Sequence, residues 1–201
     1  MPFTIDDANF PATLTGHPRT DKQFTAFCAE HPDLNVEMTA DGDIIVMLPR
    51  HPLTGASSSE INSELRPWAK EDRRGIVASS SAGFVLPNRA RRSPTGSWTL
   101  KARIDSTDVR KRSGYLHLCP DFVIEVRSDS DRLRPLQKKM REYIDNGAQL
   151  GWLIDTEKRS VEIYRANGSV ETRTGIDKIE GEAPVAGFVL DLTYVWDPLA
   201  D

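Results

Sequence analysis

Residues 119–131 read Cys-Pro-Asp-Phe-Val-Ile-Glu-Val-Arg-Ser-Asp-Ser-Asp, and this stretch decides the fold. Pro120 opens it and a Ser/Asp-rich turn closes it. Between them Phe122, Val123, Ile124 and Val126 form a nearly continuous apolar run, the pattern of a central strand covered on both faces. Glu125 interrupts that run. A carboxylate there is costly to bury unless it is paired, neutralised or bound to a metal.

Working outward, Asp131 can cap a helix that runs to Asn146-Gly147, with Leu133, Leu136, Met140, Tyr143 and Ile144 as its apolar stripe. Leu150 to Asp155 is a second apolar strand. Strand, helix and strand in that order form a right-handed crossover between parallel strands. Side chains alternate along a strand, so Asp121, Val123, Glu125 and Arg127 share a face. Asp121 and Glu125 stand roughly 13 Å apart at strand rise and cannot both ligate one ion. The helix offers Glu125 a partner instead. At about 100° per residue, Lys138 points away from the stripe while Lys139 falls at its margin, within reach of the sheet. A structural ion pair of Glu125 with Arg127 or Lys139 explains the acid as well as a catalytic role does.

Elsewhere Thr20 can cap a helix from Asp21 to about Glu30, ended by His31-Pro32. Leu34–Met38 and Asp43–Leu48 flank Asp41-Gly42 as a hairpin, with Glu37 in its first strand. A polar loop over 49–57 leads to an amphipathic helix from Ser58, carrying Ile61, Leu65, Trp68 and Ala69 and ending by Gly75. Ser57 to Ser59 read as its cap. Ile76–Ser79 and Gly83–Leu86 suggest a second hairpin, Ser93-Pro94-Thr95-Gly96 a β-turn, and Trp98–Leu100 a short strand. Residues 101–113 read as a polar helix or loop, Val161–Arg165 and Phe188–Leu192 as further strands, and 166–187 as a polar connection with room for one strand. The whole reads as one domain over residues 1–201, with 1–19 as an irregular N-terminal arm.

Composition narrows the function. The chain has 201 residues, 38% hydrophobic and 28% charged, and no run long enough to span a bilayer, so no membrane association is expected. Two cysteines exclude a disulfide framework, and the N-terminus lacks a signal peptide, which makes the cytoplasm the expected location. The four histidines show no ligand spacing, and there is neither a glycine-rich phosphate loop nor a GxSxG turn. A net charge of −4 argues against coating nucleic acid non-specifically. Between Asn88 and Ser113, however, Arg89, Arg91, Arg92, Lys101, Arg103, Arg110, Lys111 and Arg112 face only Asp105 and Asp108. That excess is either a phosphate-facing surface, with Arg91, Arg92, Arg110, Lys111 and Arg112 as contacts, or a solvated loop.

The string CPDFVIEVRSDSDRLRPLQKKMREYIDNGAQLGWLIDTEKRSVEIYR, over 119–165, resembles the Uma-two family of bacterial endonucleases, within the restriction-endonuclease-like PD-(D/E)XK superfamily. The likeness continues more loosely through LNVEMTADGDIIVM at 34–47, the 52–68 region and RRSPTGSW at 91–98, about four-fifths of the chain. It implies an α/β fold with a mixed central sheet flanked by helices. It also implies Mg²⁺- or Mn²⁺-dependent hydrolysis of nucleic acid, with DNA as the expected substrate and a homodimer as the expected assembly. On the resemblance, Glu125 matches the acidic metal ligand, Lys139 the family's lysine and Glu37 an early-hairpin acid. The main-chain carbonyl of Val126 would complete the metal site. Thr95 stands where the family has a second metal-binding Asp, with Asp105 or Asp108 as candidate substitutes. Weakened cleavage, or a non-enzymatic descendant that binds nucleic acid or a protein partner, are the two readings this departure leaves.

Overall fold

The computed structural model describes residues 12–15, 20–47, 49, 51–105, 114–127 and 131–200. In chain order the elements are β1 (Ala12–Leu14), α1 (Asp21–Glu30), β2 (Asn35–Met38), β3 (Ile44–Met47), α2 (Pro52–Asp72), β4 (Gly75–Ser79), β5 (Phe84–Val85), β6 (Arg91–Arg92), β7 (Gly96–Leu100) and α3 (Lys101–Asp105). There follow β8 (Phe122–Arg127), α4 (Leu133–Asp145), β9 (Leu150–Asp155), β10 (Ser160–Arg165), β11 (Val170–Thr174), β12 (Lys178–Glu180), β13 (Val189–Asp191) and α5 (Thr193–Trp196).

The decisive stretch is β8, which lies inside a six-stranded sheet of order β11-β10-β9-β8-β7-β4. Its pairing with β9 is parallel, with Glu125 opposite Leu153, and α4 is the crossover between them. The other pairs of this sheet are antiparallel. Alternation along β8 divides the core. Phe122, Ile124 and Val126 pack with Ile61 and Leu65 of α2, whereas Val123 packs with Met140 and Tyr143 of α4. The two helices therefore cover opposite faces of the large sheet. A second sheet, of order β1-β3-β2-β6-β5, carries α1 through Phe24 and Phe27 against Val36, Met38, Ile44 and Val46.

Several expectations change. Part of the arm expected to be irregular forms β1, which pairs with β3. Helix α2 begins at Pro52, six residues before Ser58, because Pro52 opens the first turn with His51 capping Leu53. Ser57 and Ser58 thus lie within the helix and bond back to the carbonyls of Leu53 and Thr54. Asp131 is not the cap of α4; Arg132 holds that position without a side-chain bond. The second hairpin does not form: β4 pairs with β7 in the large sheet and β5 with β6 in the small one. Nor is Ser93–Gly96 a turn. It carries the chain from one sheet to the other, and that crossing brings Thr95 to Glu125.

Candidate active site

Glu125 is 1% exposed, and its carboxylate is fully engaged. Lys139 Nζ lies 2.7 Å from its Oε1, and the Tyr143 hydroxyl donates to the same oxygen at 3.0 Å. Both come from α4, four residues apart, so one helix face delivers them together. Thr95 Oγ1 donates to the other oxygen, Oε2, at 3.4 Å while accepting from the Val126 amide at 3.3 Å. Lys138 is exposed, as its helix angle requires. Arg127 turns elsewhere, to Asp155 at 2.8 Å and Glu157 at 3.2 Å. Asp121 is likewise separate, holding Arg103 and the Leu100 amide.

The small sheet supplies the second acid. Glu37 on β2 is 2% exposed and accepts from Lys139 at 2.8 Å, from Arg92 at 3.0 Å and from the Ser93 amide at 2.9 Å. Arg92 reaches on to Glu142 of α4 at 2.6 Å, whose other oxygen accepts from Asn88 at 3.0 Å. Lys139 is thus the bridge between Glu125 and Glu37, and Arg92 the bridge between Glu37 and Glu142. Three carboxylates against two cations leave the network one negative charge.

These couplings fix the charge states. Burial alone opposes the Lys139 ammonium, but the facing carboxylates of Glu125 and Glu37 outweigh it and lift its pKa above the usual lysine value. Lys139 is therefore held as the ammonium at neutral pH. Burial opposes the Glu37 carboxylate too, yet Lys139 and Arg92 hold its pKa below the ordinary value. Burial and the Glu125 charge push Tyr143 well above the usual phenol range, so it remains a neutral donor.

A cavity of about 480 Å³ opens onto Glu37, Arg92, Lys139 and Glu142, flanked by Asp41 and Asp43 of the β2–β3 hairpin. Solvent reaches the network at this end, with Glu125 and Thr95 behind it.

The structure brings Glu125, Lys139, Glu37 and Thr95 into one hydrogen-bonded cluster, and Val126 joins it through its amide, which donates to Thr95, and not through the carbonyl that the resemblance implied. Arg91 and Arg92 behave differently from the expected phosphate contacts. Arg92 is 6% exposed within the network, and Arg91, 4% exposed, pairs with Asp21 and lies over the rings of Phe24 and Tyr115. Their charges are spent inside the protein because β6 is an interior strand of its sheet. Arg110, Lys111 and Arg112 lie outside the described residues, as does Asp108. Asp105 is exposed on α3, and among the described residues no three metal-ligating side chains converge. Sequence reasoning missed Tyr143, taken only as apolar stripe, and Glu142. The i, i+3 and i, i+4 spacing from Lys139 was the available signal.

A mixed sheet with a buried glutamate on a central strand, met by a lysine from the crossover helix, is an arrangement of the restriction-endonuclease-like fold. The chain belongs to the Uma2 family, whose model, described as "Putative restriction endonuclease", matches residues 21–193. A solved structure described as a "putative nuclease belonging to DUF820 from Anabaena variabilis ATCC 29413" superposes with a TM-score of 0.73 at 20% identity, covering 89% of this chain and 98% of that one. At that identity the likeness is one of fold. No curated protein matches. Among the described residues no helix is long and apolar enough to cross a membrane.

Proposed function

We propose that the chain hydrolyses nucleic-acid phosphodiester bonds, DNA foremost, with a divalent cation taken up together with the substrate. The observation that carries this reading is the Glu125–Lys139 pair with the Thr95 hydroxyl at its back. Glu125 Oε2 and Thr95 Oγ1 are hard oxygens 3.4 Å apart. Together with the Val126 carbonyl that the family resemblance adds, they suit Mg²⁺ or Mn²⁺, since Mg²⁺ needs only one or two carboxylates and completes its shell with water and substrate phosphate. Only one of these three donors is charged, so the resting affinity is lower than that of a two-carboxylate site. The cation, once bound, supplies polarisation of the phosphate and a more acidic water.

The chain's own residues do the rest. Lys139, held cationic, neutralises charge that builds on the phosphate. Tyr143 and Thr95 orient Glu125, and Glu37 positions the Lys139 ammonium. Arg92 keeps Glu37 ionised. A second reading is favoured by Thr95 itself together with the burial of Glu125: a nuclease fold that retains nucleic-acid binding and has lost the chemistry.

The test is cleavage of single- and double-stranded DNA and RNA with Mg²⁺ or Mn²⁺, comparing the parent with Glu125→Gln and Thr95→Asp. The expected outcome is slow parental cleavage that drops by about a hundredfold or more in Glu125→Gln. Thr95→Asp should tighten metal binding and quicken cleavage. An inactive parent beside an active Thr95→Asp variant supports the second reading. Cleavage indifferent to Glu125→Gln removes the site from consideration.

A further inference from the structure

One face of α2 belongs neither to the core nor to the site. Asn62, Arg66, Lys70 and Arg73 recur along it at helical spacing. With the end strand β4 and Lys101 they wall a cleft of about 810 Å³, the described part of which contains no Asp or Glu. Arg66, Lys70, Arg73 and Lys101 are all exposed. Lys101 Nζ donates to the Arg73 main-chain carbonyl at 2.7 Å, which anchors its ammonium at the C-terminal end of α2. Their neighbour Arg74 differs, being neutralised by Asp72 at 2.6 Å. Four uncompensated positive charges in one cleft of a chain with net charge −4 repel one another unless an anion lies among them.

The floor of the cleft adds a second observation. Asn62 Nδ2 donates to the Thr95 carbonyl at 3.0 Å, but its Oδ1 is buried without a hydrogen-bond partner. The Asn62–Thr95 contact ties the cleft to the segment that presents Thr95 to Glu125, so the row of cations lies beside the site.

We infer that this cleft binds a nucleic-acid strand, its phosphates on Arg66, Lys70, Arg73 and Lys101. The choice of nucleic acid over an acidic peptide rests on the proposed function; the existence of the anion-binding cleft does not. Arginine favours phosphate through its paired donors.

The experiment measures anisotropy of fluorescein-labelled single-stranded and duplex DNA with the full chain in EDTA, across a range of NaCl. The variants are Arg66→Gln, Lys70→Gln, Arg73→Gln and Lys101→Gln, singly and combined. All four side chains are exposed, so circular dichroism is expected to match the parent, and the single variants serve should the combination fold poorly. The combined variant should weaken binding at least about tenfold and flatten the log–log salt slope by about three to four, each single change by about one. Unchanged affinity and slope overturn the inference, as does a poly-glutamate peptide that binds more tightly than either DNA. Because no metal is present, the two proposals fail separately. DNA binding lost in the cleft variants of a parent that never cleaves overturns the function and keeps the cleft. Glu125-dependent cleavage with cleft variants that bind like the parent does the reverse.

Discussion

Lys139 couples the two sheets at the site, because one ammonium answers two buried carboxylates from different sheets. Its pKa is raised and that of Glu37 is depressed, so their contributions to stability have opposite pH limits. Glu37 ionises more readily in the folded chain. Its contribution is full above the ordinary glutamate value near 4.5 and disappears as pH falls through its lower folded value. Lys139 contributes fully below the ordinary lysine value of 10.5, and that contribution is lost as pH rises through its higher folded value. Urea denaturation across pH should therefore show stability falling below about pH 4.5, with Glu37→Gln flattening that acid limb. An acid limb as steep in Glu37→Gln as in the parent would exclude Glu37 as its source. Helix angle and strand alternation alone singled out Lys139 over Lys138 and tied it to Glu125. The same reasoning could not see Arg92, since a strand partner 55 positions away leaves no local periodicity.

Helix α2 and strand β4 show what element-level reading gains and loses. The apolar spacing of Ile61, Leu65 and Ala69 is plain in the sequence, and all three are buried. The first turns of α2 are not plain, because their buried residues are Thr54 and Ser57 and the contact is polar: Ser57 Oγ donates to the Val195 carbonyl at 2.9 Å. At the other end, Gly75 opens β4 directly against Trp98 of β7. A β-carbon there would sit 2.2 Å from the indole ring, which is fully buried and has no room to yield. Gly75→Ala is expected to cost about 1–3 kcal/mol of stability, the range for overpacking a filled core. It should also redshift tryptophan emission as Trp98 is displaced toward water. Thermal unfolding at the parental temperature would refute the close approach. The mistaken hairpin of β4 and β5 has the same root. Two short β runs a few residues apart look paired, while their true partners are set by contacts between sheets.

At the scale of the molecule, the two sheets meet through a polar network. Glu37 and Arg92 belong to the small sheet, Lys139 and Glu142 to the helix on the large one. The order of motifs along the chain made the large sheet, its parallel pair and its crossover legible. The separate five-stranded sheet was not, since β6 contributes only Arg91 and Arg92 and reads as a charge run until the chain is folded. This architecture makes Arg92 a joint between sheets more than a ligand for phosphate. Arg92→Met would leave Glu37 to Lys139 and the Ser93 amide, and Glu142 to Asn88, at a cost of about 3–5 kcal/mol for breaking a buried ion pair. The apolar core around β8, β9 and α4, which Phe84 of β5 joins, does not contain Arg92 or any residue of β2 and β3 and should hold. The loss should therefore fall on the small sheet as a separate opening unit. Hydrogen exchange resolves this by peptide: β2 and β3 amides are expected to exchange faster in Arg92→Met while those of β8 and β9 keep their protection. Parallel loss in both sheets would mean that they unfold as one unit and that the network does not act as the joint between them. If only the small sheet loosens, the catalytic consequence follows from the same geometry. Glu37 would no longer hold Lys139 from its far side, and Glu125 would keep its lysine but lose the fixed position of its charge.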